Sequence, residues 1–92
     1  MASSIAQMLP TAREDVALRR VGNEWVLFDA AHDRAHVLNL TAAVVWTYCD
    51  GKHVAGAIAD AIGRELAPPA PEPILDDIES VLRRFADEGL LR

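Results

Sequence analysis

At Thr41 the spacing of apolar residues changes, and that change sets what the chain can fold into. Before it, apolar positions fall in short runs of strand length. Val16 to Val21 mixes Val, Leu and Arg and suits an edge strand. Gly22 and Asn23 follow as turn residues that tolerate positive φ. Glu24 to Ala30 places four large apolar side chains in succession, Trp25 to Phe28, which suits a central strand with both faces partly covered. Ala31 to Arg34 is polar and turn-like. Ala35 to Leu40 then puts His36, Leu38 and Leu40 on one face and Ala35, Val37 and Asn39 on the other. Three runs so close together predict an antiparallel meander.

After Thr41 the pattern is helical. Thr41 is the expected N-cap of a helix over Ala42 to Cys49, which Asp50-Gly51 ends. Val54, Ile58, Ile62 and Leu66 recur every four residues and predict a second helix. Ala67 to Pro73 is proline-rich and predicts a stiff, extended connection. A last helix is expected from Pro73 or Ile74, with a broad apolar face of Ile74, Leu75, Ile78, Val81, Leu82 and Phe85. Its acids Asp76, Asp77 and Glu79 come early and Arg83 and Arg84 later, in the order that the helix dipole favours. Gly89 stops this helix, so Leu90 and Leu91 can fold back onto the core. The predicted fold class is α+β and winged-helix-like: a three-stranded antiparallel sheet followed by three helices.

With 92 residues, 51% of them hydrophobic, there is material for one core and not two. Residues 1–12 lack periodicity and read as a flexible tail before a domain spanning 13–92. Met1 to Pro10 has neither a basic start nor a long apolar run, so no signal peptide or membrane anchor is expected. Cys49 is the single cysteine and can form no internal disulfide, which fits a reducing compartment; the cytoplasm is the expected location.

Few residues offer chemistry. His32 and His36 are four apart, as are Cys49 and His53, but the first pair spans a turn and a strand and the second straddles Gly51. Neither spacing predicts a metal site; a buried structural cysteine and surface histidines are expected instead. No phosphate loop or nucleophile elbow is present, so neither catalysis nor a cofactor is expected. A net charge of -5 argues against nucleic acid as a partner. The second helix carries Asp60 and Glu65 against Arg64, and the third opens on acids, which makes both poor recognition helices.

The most distinctive stretch is Leu38-Asn39-Leu40-Thr41-Ala42-Ala43-Val44-Val45-Trp46, followed by Cys49-Asp50-Gly51. With the later Asp77-Ile78, Leu82 and Gly89-Leu90-Leu91, this order resembles the PqqD-like family, also described as RiPP recognition elements, over about residues 13 to 92. The resemblance implies a domain that holds the leader segment of a ribosomally made precursor peptide as an added strand beside the third strand, against the last helix. It implies a separate tailoring enzyme, a radical SAM enzyme or a leader peptidase, as second partner. The residues alone are consistent with this. In a meander the third strand keeps an open edge, which is either shielded by a helix or tail or used by a partner.

The expected peptide-binding residues are therefore Ala35, His36, Val37, Leu38 and Asn39 on the strand. On the last helix they are Leu75, Glu79, Leu82, Arg83 and Ala86. Two other readings are a winged-helix DNA-binding regulator and an assembly subunit that pairs its open strand with a protein.

Overall fold

The computed structural model describes residues 8–66 and 74–92. Its sheet is built from β1 (Val16–Val21), β2 (Glu24–Asp29) and β3 (Arg34–Leu38), antiparallel in the order β1-β2-β3. Three helices follow: α1 (Leu40–Thr47), α2 (Ala55–Leu66) and α3 (Ile74–Asp87). This is the α+β architecture expected from the change of period. The proline-rich connection lies outside the described residues.

The meander follows from its turns. Val21 pairs with Glu24 across Gly22-Asn23, and Gly22 alone takes a positive φ, 63°. A two-residue turn with glycine first matches the right-handed twist of the strands it joins. Between β2 and β3 the chain makes a single 3₁₀ turn, Ala30–His32, which ends β2 at Asp29, one residue before its expected limit. Asp29 accepts the His32 backbone N–H, and Asp33, in the left-handed region at φ 53°, closes the turn.

Helix α1 begins earlier than expected. Asn39, not Thr41, is its N-cap: Oδ1 accepts the Ala42 backbone N–H at 2.8 Å. Asparagine two residues upstream reaches the first free donors, so β3 stops at Leu38 rather than Leu40. The helix is apolar on nearly all sides, with Ala42, Ala43, Val45 and Trp46 buried. It lies at the centre of the domain and packs on β3, α2 and α3.

One face of the sheet closes the core. Val16, Leu27 and Leu38 meet Ile58 and Ile62 of α2, Ile78, Leu82 and Phe85 of α3, and Leu90, which folds back as expected and is fully buried. Each fully buried Leu, Ile or Phe side chain here contributes about 1.5–3 kcal/mol.

Of the expected tail, residues 1–7 lie outside the described residues. From Pro10 onward the backbone forms a strap between two other segments. Gly51 N–H donates to Pro10 O at 2.9 Å, Ala12 N–H to Cys49 O at 2.8 Å, Arg13 N–H to Leu90 O at 3.0 Å and Arg92 N–H to Thr11 O at 2.7 Å. The strap explains Gly51: its φ is 80°, and a Cβ there would lie 2.8 Å from Thr11 Oγ1.

Arg13 anchors the strap. Its guanidinium bonds both oxygens of Asp29, at 3.1 and 3.3 Å, both oxygens of Asp15, and Gly89 O at 2.9 Å. Asp29 is almost fully buried and also meets His32 Nδ1 at 2.8 Å. Burial pushes the Asp29 carboxyl up, but the bonds from His32 and Arg13 together outweigh it and hold it below the usual carboxylate range. The Arg13 bond depresses Asp15 as well.

A depressed folded-state value means stability that is present above the unfolded pKa, about 3.9, and lost as pH falls through the folded one. Melting temperature should therefore decline from about pH 4 downward, and Asp29→Asn should lower it at neutral pH and flatten that decline. A wild-type midpoint that does not move between about pH 5 and pH 2 contradicts this account of the clamp.

Candidate functional site

Among the described residues the sheet has two open edges, and they differ. On β1 the edge carries exposed Arg19 and Arg20, charged side chains of the kind that discourage pairing. Its first outward amide is also taken, because Val16 N–H donates to Arg13 O at 3.3 Å. The β3 edge lies beside α3, whose side chains reach across to it.

The pairing parity tells which β3 groups face outward. The two-residue turn makes Val21 and Glu24 a hydrogen-bonded pair, so Glu24, Val26 and Phe28 bond toward β1 and Trp25, Leu27 and Asp29 toward β3. Their partners Leu38, His36 and Arg34 are thus satisfied. Ala35 and Val37 turn N–H and C=O to the open edge. Arg84 agrees with this parity: its Nη2 donates to Val37 O at 3.3 Å across 47 positions of sequence.

Side chains alternate in the other direction. His36 and Leu38 point into the core and are buried, whereas Ala35, Val37 and Phe28 stand exposed on the opposite face. Val37 is 54% exposed and Leu40, just past the strand, 55%. These two border an open cavity of about 580 Å³ at the end of β3, lined by Trp25, Leu38, Arg20 and Glu24. Arg20 lies over the Trp25 ring, 5.7 Å from its centroid.

Helix α3 meets this edge through Arg84 and Glu88. Arg84 Nε bonds Glu88 Oε1 at 3.3 Å, one turn on, and the same oxygen sits 3.2 Å from His36 Nδ1. His36 is therefore not the surface histidine expected from sequence. It is 9% exposed, and its Nε2 is buried with no hydrogen-bond partner among the described residues. At 3.6 residues per turn, Asp77 and Val81 share the side of α3 that carries Arg84 and Glu88.

The residues expected to line the site divide. Ala35 and Val37 present backbone groups and exposed side chains at the edge. Leu38 and His36 lie beneath it, and Asn39 is occupied as a helix cap. On α3, Leu82 is fully buried in the core and offers no surface. Arg83 is exposed but stands about 100° around the helix from Arg84. Leu75, Glu79 and Ala86 lie on the far side from Arg84 by the same spacing. Sequence reasoning missed Arg84 and Glu88. Their i,i+4 spacing was the available signal, but only the sheet's position shows which side of the helix counts.

Other titratable groups are engaged locally. His53 Nδ1 meets Asp50 at 2.9 Å, and the Cys49 thiol donates to Val45 O at 3.3 Å. Burial, with the nearby Asp50 charge, pushes that thiol up to about 12, so Cys49 is no nucleophile at neutral pH. Among the described residues no group of three or more His, Cys, Asp or Glu is placed to hold a metal ion. No helix among them is long and apolar enough to cross a membrane.

No curated protein sequence matches the chain. Two solved structures share its fold. One is described as TbiB1 in complex with the TbiA(beta) leader peptide, at 21% identity and TM-score 0.71, covering 89% of this chain and 94% of that one. The other is described as lasso peptide synthetase B1 complexed with the leader peptide, at 18% identity and TM-score 0.73, covering 90% and 96%. Residues 24–91, from the start of β2 to the strand-like end after α3, match the family described as Coenzyme PQQ synthesis protein D (PqqD). Strands β2 and β3, the three helices and the order of motifs at the β3–α1 junction all fall within that match, and the chain belongs to the PqqD family.

Proposed function

We propose that this protein binds the leader segment of a ribosomally synthesised precursor peptide as a fourth strand on β3 and presents it to a separate tailoring enzyme. The enzyme partner is a radical SAM enzyme or a leader peptidase, the setting is the cytoplasm, and the domain itself makes and breaks no bond. One observation carries the reading. At the β3 edge, the backbone groups of Ala35 and Val37 face outward toward a helix that meets the strand through side chains. A peptide strand gains backbone hydrogen bonds there, and side-chain pockets beside it supply selectivity. The two solved structures compared above are, by their descriptions, complexes with leader peptides, which supports a leader peptide as the ligand.

The cavity bordered by Val37 and Leu40 gives the strand a register. An edge strand by itself specifies register weakly, whereas an apolar side chain seated against Trp25 and Leu38 fixes it. The groove side of α3 in this proposal is Arg84, Glu88, Val81 and Asp77, with Arg83 and Glu79 outside it.

Titration of the ¹⁵N-labelled protein with the leader of its precursor tests the reading. The amide signals of Ala35 and Val37 should move most, and their solvent exchange should slow. Binding that leaves both amides unchanged, or that moves only β1, would sink strand addition at this edge.

A further inference from the structure

Arg84 holds the one outward acceptor of β3 for which the structure shows a partner. Its Nη2 lies 3.3 Å from Val37 O, and its Nε is tied back to Glu88, itself shared with His36. A strand that pairs with the β3 edge brings its own N–H to Val37 O, at the position Arg84 occupies. The guanidinium then has to give up or share that bond while an uncharged backbone settles beside it. An incoming strand that offers nothing in return leaves a cation partly stripped of water and short of an acceptor. A strand with a carboxylate opposite Arg84 replaces the lost bond with a charge-assisted one.

Glu88 cannot serve this purpose alone. Its Oε1 already faces both Arg84 Nε and His36 Nδ1, and it bonds a different nitrogen of the guanidinium. Asp77, on the same side of α3, sets the opposite preference further along the helix, so a carboxylate is favoured at one place in the groove and not along its length.

We infer that Arg84 is a specificity-determining residue of the β3 edge, which selects peptide strands that carry an Asp or Glu beside the residue paired with Val37, on the face turned to α3. The inference rests on the strand-addition reading and narrows it to a class of ligand. Arg84 blocks neutral or basic strands, second copies of β3 included, by keeping Val37 O occupied. An acidic strand turns the same side chain into a contact.

The test uses the whole protein and a display library of random peptides long enough to form one strand. Selections run in parallel on wild type, Arg84→Met, Arg84→Glu and Arg83→Glu, each checked by thermal melting. Peptides counted as strand binders are those lost on Val37→Pro. Wild type and Arg83→Glu should enrich Asp or Glu at one position next to the partner of Val37, opposite His36 or Leu38, Arg84→Met should lose that enrichment, and Arg84→Glu should shift it to Lys or Arg. Replacing the selected carboxylate by its amide should weaken binding at least fivefold on wild type and less than twofold on Arg84→Met.

Strand binders without a charge preference, or with one that survives Arg84→Met, overturn the inference and leave strand addition standing. A library that yields no peptide sensitive to Val37→Pro overturns both.

Discussion

Phe85→Ala should lower the unfolding free energy by about 3–5 kcal/mol. Phe85 has no exposed surface, and its ring stands edge-on to Trp46, with centroids 5.3 Å apart and planes at 88°. It joins α3 to α1 at the middle of the core, so truncation removes its own transfer term, leaves a cavity and ends the ring contact, itself about 0.5–1.5 kcal/mol. Domains of this size have about 5–15 kcal/mol in total, so a loss of this size removes a large share of the stability. Urea unfolding followed by tryptophan fluorescence measures the change. Leu75→Ala is the comparison. Leu75 lies on the same helix but is 45% exposed, and it should cost less than about 1 kcal/mol. A loss below about 1 kcal/mol for Phe85→Ala would mean that α3 does not depend on the described core.

Val37→Pro should weaken leader binding about 30-fold, roughly 2 kcal/mol, at nearly unchanged stability. The Val37 N–H faces the open edge, so proline removes a donor that the sheet itself does not use. Its ring also occupies the space where a paired strand would lie. The preceding residue, His36, is already extended, as proline requires. His36→Pro, one position earlier, should instead break the ladder to Leu27 and destabilise the domain. Calorimetry for affinity and thermal melting for stability separate the two variants. Equal binding by Val37→Pro and wild type would remove the β3 edge from the interface.

Much of this architecture was legible in the sequence because it rests on local signals. The change of period at Thr41, the turn at Gly22-Asn23 and the stop at Gly89 each depend on residues close together. Boundaries were less legible where two signals compete. Asn39 and Thr41 are both good caps, and the one nearer the strand wins because β3 must already have turned its last inward side chain, Leu38, into the core. His36 shows a further limit. Alternation placed it on the face of Leu38, but only packing shows that this face is buried and that Glu88 comes within 3.2 Å.

The site was half legible for the same reason. The strand half follows from period-two alternation, which held at Ala35 and Val37. The helix half depends on rotation of α3 about its axis, and the broad apolar face of that helix admits several rotations. Burial of Ile78, Leu82 and Phe85 selects one of them. It turns Arg84 toward β3 and leaves Arg83, its immediate neighbour, elsewhere.

The strap at Pro10 to Arg13 has a consequence for how such a domain can be joined to others. Because Arg92 N–H bonds Thr11 O at 2.7 Å, the chain enters and leaves the fold at adjacent points. A unit whose entry and exit nearly touch can be spliced into a surface loop of a larger protein, since the host backbone needs to open by only a few ångströms. The same geometry suits circular permutation, with a short bridge across Thr11 and Arg92 and new ends cut at the exposed Gly22-Asn23 turn. Splicing at Thr11 and Arg92 alters no residue of β3.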